Sequence, residues 1–77
     1  MVFCKLSDLN EGCSATIRAI EQDEISLKLL EIGIIPGEVI RMDINKSAKG
    51  PFIVHIGGAT ISLRLDEAET IVVELNI

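Results

Sequence analysis

The sequence predicts a mainly β fold: a small, partly open barrel of about five antiparallel strands, with one short α-helix inserted after the first. Three observations lead there. Several short segments alternate apolar and polar residues, the pattern of a strand with one buried face. The pairs Pro36-Gly37 and Gly57-Gly58 punctuate the chain with tight turns. And a single stretch, Asp23 to Gly37, has helical spacing. One helix cannot supply the crossover that each pair of successive parallel strands needs, so the sheet is expected to be antiparallel and strongly bent.

In order, Ser7-Asp8-Leu9 reads as one helical turn and Asn10-Glu11-Gly12 as a loop. Cys13, Ala15, Ile17 and Ala19 then alternate with Ser14, Thr16 and Arg18 in a first strand. Asp23 suits the N-cap of the helix, and Glu24 adds charge favourable to the dipole four residues ahead of Lys28. Gly33 suits the left-handed residue that ends many helices, and Ile35-Pro36-Gly37-Glu38 fits a type II turn. Ile40, Met42 and Ile44 mark a second strand, after which Lys46 to Gly50 forms a polar hairpin loop. Phe52, Val54 and Ile56 mark the third. Gly57-Gly58 can supply the two positive φ angles of a type I′ turn. Ile61, Leu63 and Leu65 give the fourth strand, Asp66-Glu67-Ala68 a helical turn, and Ile71, Val73 and Leu75 the fifth. There is no repeat, linker or low-complexity tract, so residues 1–77 read as a single domain.

The helix is unusual in its apolar residues. At about 100° per residue, Ile25, Leu29 and Ile32 cluster on one side while Leu27, Leu30 and Ile34 cluster on the other. A surface helix needs one such stripe. Burying a Leu or Ile is worth roughly 1.5–3 kcal/mol, a large amount against the stability of a small domain. The spare stripe is therefore covered by a second layer of this chain or by a partner.

Composition excludes several functions. Apolar residues make up 48% of the 77 residues, enough for a dense core rather than a disordered chain. Phe3 and Phe52 are the only aromatics, too few for a proline-rich-peptide groove or a base-stacking platform. A net charge of −5 lacks the basic footprint of nucleic-acid or anionic-membrane binding. No apolar run reaches the ~20 residues that span a bilayer, and the N-terminus has no signal-peptide pattern. A cytoplasmic location follows as the expectation.

Catalysis and metal binding find little support. Cys4, Cys13 and His55 are the only nucleophile and base candidates of their kind, but His55 falls on the outward side of a strand and nothing places a thiol beside it. Both cysteines read as reduced residues of the core or its margin. There is no paired Cys or His at zinc-ligand spacing, no nucleophile elbow and no phosphate loop. The acidic pairs Asp23-Glu24 and Asp66-Glu67 read as solvated helix starts. The expectation is no catalytic residue, no metal ligand and no cofactor.

Lys28-Leu29-Leu30-Glu31-Ile32-Gly33-Ile34-Ile35-Pro36-Gly37 resembles the [RK]-L-L-x-[LI]-G-hydrophobic-x-P-G block of the FeoA family. Gly58-Ala59-Thr60-Ile61-Ser62-Leu63-Arg64, with Glu67-Ala68 and Ile71-Val72-Val73, is similar to that family's closing pattern, and Leu6-Ser7-Asp8-Leu9 with Gly12 to its opening. The doubled glycine at Gly57-Gly58 and the Lys-Gly-Pro at residues 49–51 depart from the pattern, both in turns. The resemblance implies an SH3-like barrel and a non-enzymatic accessory role in ferrous iron transport, through contact with the cytosolic part of FeoB, a membrane GTPase-transporter. It also implies kinship with the C-terminal domain of iron- and manganese-dependent repressors, although the opening methionine and the lack of a helix-turn-helix favour a free-standing module. On this reading the partner-binding residues are Leu27, Leu29, Leu30 and Glu31. The alternative is a self-associating regulatory module, a homo-oligomer paired through the spare stripe, with help from strand edges around Lys46 to Ile56 or the chain termini.

Overall fold

The computed structural model describes residues 1–76. Six strands form one antiparallel sheet: β1 (Phe3–Lys5), β2 (Ser14–Ile20), β3 (Val39–Ile44), β4 (Phe52–Ile56), β5 (Ala59–Leu63) and β6 (Ile71–Leu75). They lie in the order β1-β6-β2-β3-β4-β5, so β1 and β5 are the edges. A 3-10 turn at Leu6–Asp8 follows β1, helix α1 (Asp23–Glu31) separates β2 from β3, and helix α2 (Leu65–Thr70) separates β5 from β6.

The alternation predicted from sequence is what buries one face. Ala15 and Ile17 of β2, Ile40 and Met42 of β3, Phe52, Val54 and Ile56 of β4, Leu63 of β5 and Ile71 and Val73 of β6 meet in one core, which Leu6, Leu9, Leu29, Ile34 and Ala68 complete. A flat sheet could not enclose its own side chains. The register breaks between Ile17 and Ala19 on β2, and between Met42 and Ile44 on β3, as β-bulges do where a strand bends. The resulting extents, 27 × 26 × 22 Å, are nearly equal in all directions.

The same bulges explain two departures from strict alternation. Ala19 and Ile44 fall beyond them and are exposed, although the sequence pattern placed both on the inner face. Cys13 precedes β2 and is exposed too, rather than lining the core. The sixth strand is β1, which pairs with β6 through Phe3↔Glu74, Cys4↔Val73 and Lys5↔Val72. Leu65 opens α2 instead of closing β5. Because β4 is paired on both sides, residues 52–56 offer no free edge for self-pairing; the edges lie at β1 and β5. Both turns form as predicted: Glu38 N–H donates to the Ile35 carbonyl at 3.1 Å with Gly37 at φ +99°, and Gly57 and Gly58 sit at +56° and +84°.

Candidate functional site

Helix α1 is bound to the rest of the chain at three points. At its start, the backbone N–H of Glu21 donates to the Thr70 carbonyl at 2.8 Å, and that of Gln22 to the Thr70 hydroxyl at 2.7 Å. Gln22 occupies the N-cap and Asp23 is the first helical residue, so the helix starts one position earlier than the sequence suggested; the Gln22 side chain makes no capping bond. In the middle of the helix, Lys28 Nζ donates to Glu67 Oε2 of α2 at 2.8 Å, in place of the Glu24 contact expected along the helix. The other carboxylate oxygen of Glu67 accepts the Arg64 N–H at 2.9 Å, a stabilising arrangement at the N-terminus of α2. Burial would raise the Glu67 carboxyl, but these bonds from Lys28 and Arg64, with their positive charges, outweigh it and hold the group below the usual glutamate range.

The third attachment is the C-terminus. Ile34 N–H reaches the Leu29 carbonyl at 2.9 Å and Gly33 N–H reaches that of Leu30 at 3.1 Å, with Gly33 at φ +101°. This is a Schellman closure, in which the residue after the glycine folds back against the last helical turn. Ile34 therefore leaves the helical spiral and joins Leu29 in the core, where both are fully buried. Extrapolating helical spacing past the glycine had put Ile34 on the opposite side, with Leu27 and Leu30.

The structure thus separates the residues proposed from sequence. Leu29 is 0% exposed and holds α1 to the core, which corrects its assignment as a contact residue. Leu27, at 65% exposed, and Leu30, at 41%, face solvent together with Glu31. Past the helix, Ile32 and Ile35 are also exposed. They join Gly33, Glu38, Ile56, Gly57 and Ala59 around a shallow cleft of about 250 Å³ between the end of α1 and the β4–β5 turn. Sequence reasoning missed the cleft because Ile56 and Ala59 come from a distant hairpin. Ile35, an apolar residue at the corner of a Pro-Gly turn, was the one signal available.

The chemistry-bearing side chains remain apart. Cys4 is half-buried, and burial, together with the neighbouring Asp8, pushes its thiol up, away from the thiolate that a nucleophile requires. His55 stands between Arg41 of β3 and Thr60 of β5 in the sheet register. Among the described residues no three His, Cys, Asp or Glu side chains group as a metal site, and no helix is long and apolar enough to cross a membrane. What the arrangement can do is present an apolar surface on a firmly held helix.

Comparison with known proteins agrees with that architecture. Residues 4–75 match the FeoA domain family. No curated protein sequence matches the chain. Among solved structures, iron(II) transport protein A from Clostridium thermocellum is 36% identical at a TM-score of 0.86, over 95% of this chain and 46% of that one. Zinc-complexed FeoA from Stenotrophomonas maltophilia, described as a prokaryotic SH3 domain protein, is 30% identical at a TM-score of 0.81, over 92% of this chain and 89% of that one. The IdeR protein of T. acidophilum is 28% identical at 0.83; 99% of this chain corresponds to 35% of it. The SH3-like fold, and a likeness of fold to part of a manganese-dependent transcriptional repressor (TM-score 0.86, over 41% of that chain), are as expected from the sequence.

Proposed function

This chain belongs to the FeoA family, and on that premise we propose that it is a cytosolic, non-enzymatic accessory protein of ferrous iron uptake that acts as a single module by contact with the cytosolic part of a FeoB-like GTPase-transporter. The relative from Stenotrophomonas maltophilia has been put forward as a ferrous iron transport activating factor, which supports the same pathway here. The observation that carries the contact is the exposure of Leu27 and Leu30 on a helix tied down at its start, middle and end. Two leucines held rigidly in water at 65% and 41% exposure forgo only part of the roughly 1.5–3 kcal/mol that full burial of each is worth, and a partner recovers that part without first having to order the helix. Glu31 borders the pair.

The test is capture of the transporter's purified cytosolic domain by the wild-type chain and by a Leu27→Ser, Leu30→Ser variant. Capture is expected to fall at least about tenfold in the variant, with an unchanged denaturation midpoint. Undiminished capture by the folded variant rejects this surface.

A further inference from the structure

Resting on the docking role of α1, we propose that its outward face is built for a cationic amphipathic helix, one whose apolar ridge is flanked by Lys or Arg. With Leu27 taken as the centre of the exposed face, at about 100° per residue Leu30 and Asp23 fall within about 60° on one side, and Glu31 and Glu24 within about 60° on the other. Ile25 and Leu29 point the opposite way, toward the core. The outward face is therefore a leucine pair framed by three exposed carboxylates.

No cation of this helix offsets them. Lys28 is the single basic residue of α1, and its ammonium is committed to the buried carboxylate of Glu67 at 2.8 Å. Glu21, two residues before the helix, is exposed as well and carries the same sign. A second copy of the chain docking leucine to leucine would bring its own three carboxylates into contact with these, and the net charge of −5 on each copy adds to the repulsion. A basic partner turns the same charges into attraction. A helix is the partner that matches this face, because a ridge flanked by charge on both sides is what an amphipathic helix displays, and two such ridges pack side by side.

Three synthetic peptides test this against the whole chain: a leucine ridge flanked by lysines, the same ridge flanked by glutamates, and a scrambled lysine peptide of equal charge with no ridge. The lysine-flanked ridge is expected to bind, to shift the backbone amide resonances of α1 around Leu27 and Leu30, and to weaken at least about tenfold between about 0.05 and 0.5 M salt. The Glu24→Lys, Glu31→Lys variant is expected to reverse the preference and take the glutamate-flanked ridge. Equal binding of both ridges, or no reversal in the variant, overturns the charge rule; equal binding of the scrambled peptide overturns the ridge. The transporter's cytosolic domain separates this inference from the functional reading beneath it. Full capture by the charge-reversed variant but not by Leu27→Ser, Leu30→Ser rejects the cationic helix and keeps the transporter. Peptide discrimination without any capture by the wild type does the opposite.

Discussion

The two helices invert the usual relation between polarity and burial. Helix α2 has six residues, and those it buries include Glu67 and Thr70; helix α1 has nine, buries only Leu29 and leaves Leu27 and Leu30 in solvent. The polar residues are inside because each has a partner there: Glu67 receives Lys28 and the Arg64 N–H, and Thr70 receives Gln22. Those same partners position α1. The shorter helix is part of the frame and the longer one is what the frame holds out. Polarity reports a residue's needs, and only tertiary contacts decide where they are met.

The contrast is greatest within α1 itself, between its buried and its exposed leucines. Leu29→Ala removes a fully buried side chain from the core and is expected to cost about 2–5 kcal/mol. Leu27→Ala, two residues away, is expected to change stability by no more than about 0.5 kcal/mol. Urea denaturation of both variants reads the difference. Equal losses would mean that α1 has no free face, and with it both the transporter contact and the cationic partner would lose their surface.

A second effect, of intermediate size, probes the link between the helices. Lys28→Met leaves the Glu67 carboxylate buried with the Arg64 N–H as its remaining hydrogen-bond donor and the Arg64 guanidinium 3.7 Å away, and is expected to cost about 1–2 kcal/mol, toward the low end for a charged hydrogen bond because Lys28 is itself half in water. The sign with pH follows from the lowered carboxyl. In the wild type the unfolded chain binds the proton more readily than the folded one. This contribution is therefore complete above the ordinary glutamate value of about 4.3 and is lost as pH falls through the lower folded value. Denaturation midpoints between about pH 3 and 6 should show that acid-side slope reduced in Lys28→Met and in Glu67→Gln. Glu11, held low by the Asn45 N–H and Lys46, contributes slope of the same sign in all three proteins, so the comparison is between slopes rather than against zero. An unchanged slope in both variants would remove Glu67 from the frame.

Much of the sheet was legible because half-buried antiparallel strands impose a period of two, and Phe52, Val54 and Ile56 or Ile71 and Val73 leave little freedom in which face goes inward. The edge strand β1 escaped because an edge of three residues, Phe3 and Lys5 exposed and Cys4 half-buried, has no pattern to show. Ile34 was misplaced because periodicity holds only while the helix continues, and Gly33 ends it. Leu27 and Leu30 were readable as apolar surplus, yet nothing local could tell their stripe from that of Leu29. That choice is made by Glu67 and Thr70, 39 residues from Lys28 and 48 from Gln22, contacts that no window of sequence contains.

The smallest expected effect is the most specific to this division of labour. Thr70→Val keeps the shape of a buried side chain and removes the hydroxyl that accepts the Gln22 N–H at 2.7 Å. Gln22 is exposed, so water can replace the lost acceptor, and the global cost should be only about 0.5–1 kcal/mol. The local cost is different in kind. The first turn of α1 is held to α2 there, since the backbone N–H groups of Ile25 and Ser26 donate to the Gln22 carbonyl at 3.1 and 2.9 Å. Hydrogen exchange at those two amides should speed up by more than the global loss accounts for, while amides of β2 and β6 slow or quicken only in step with it. If instead all of them change together, α1 and the sheet open as one unit, and the helix is not a separately mounted element. If only Ile25 and Ser26 respond, α2 is the mount and α1 the part it presents.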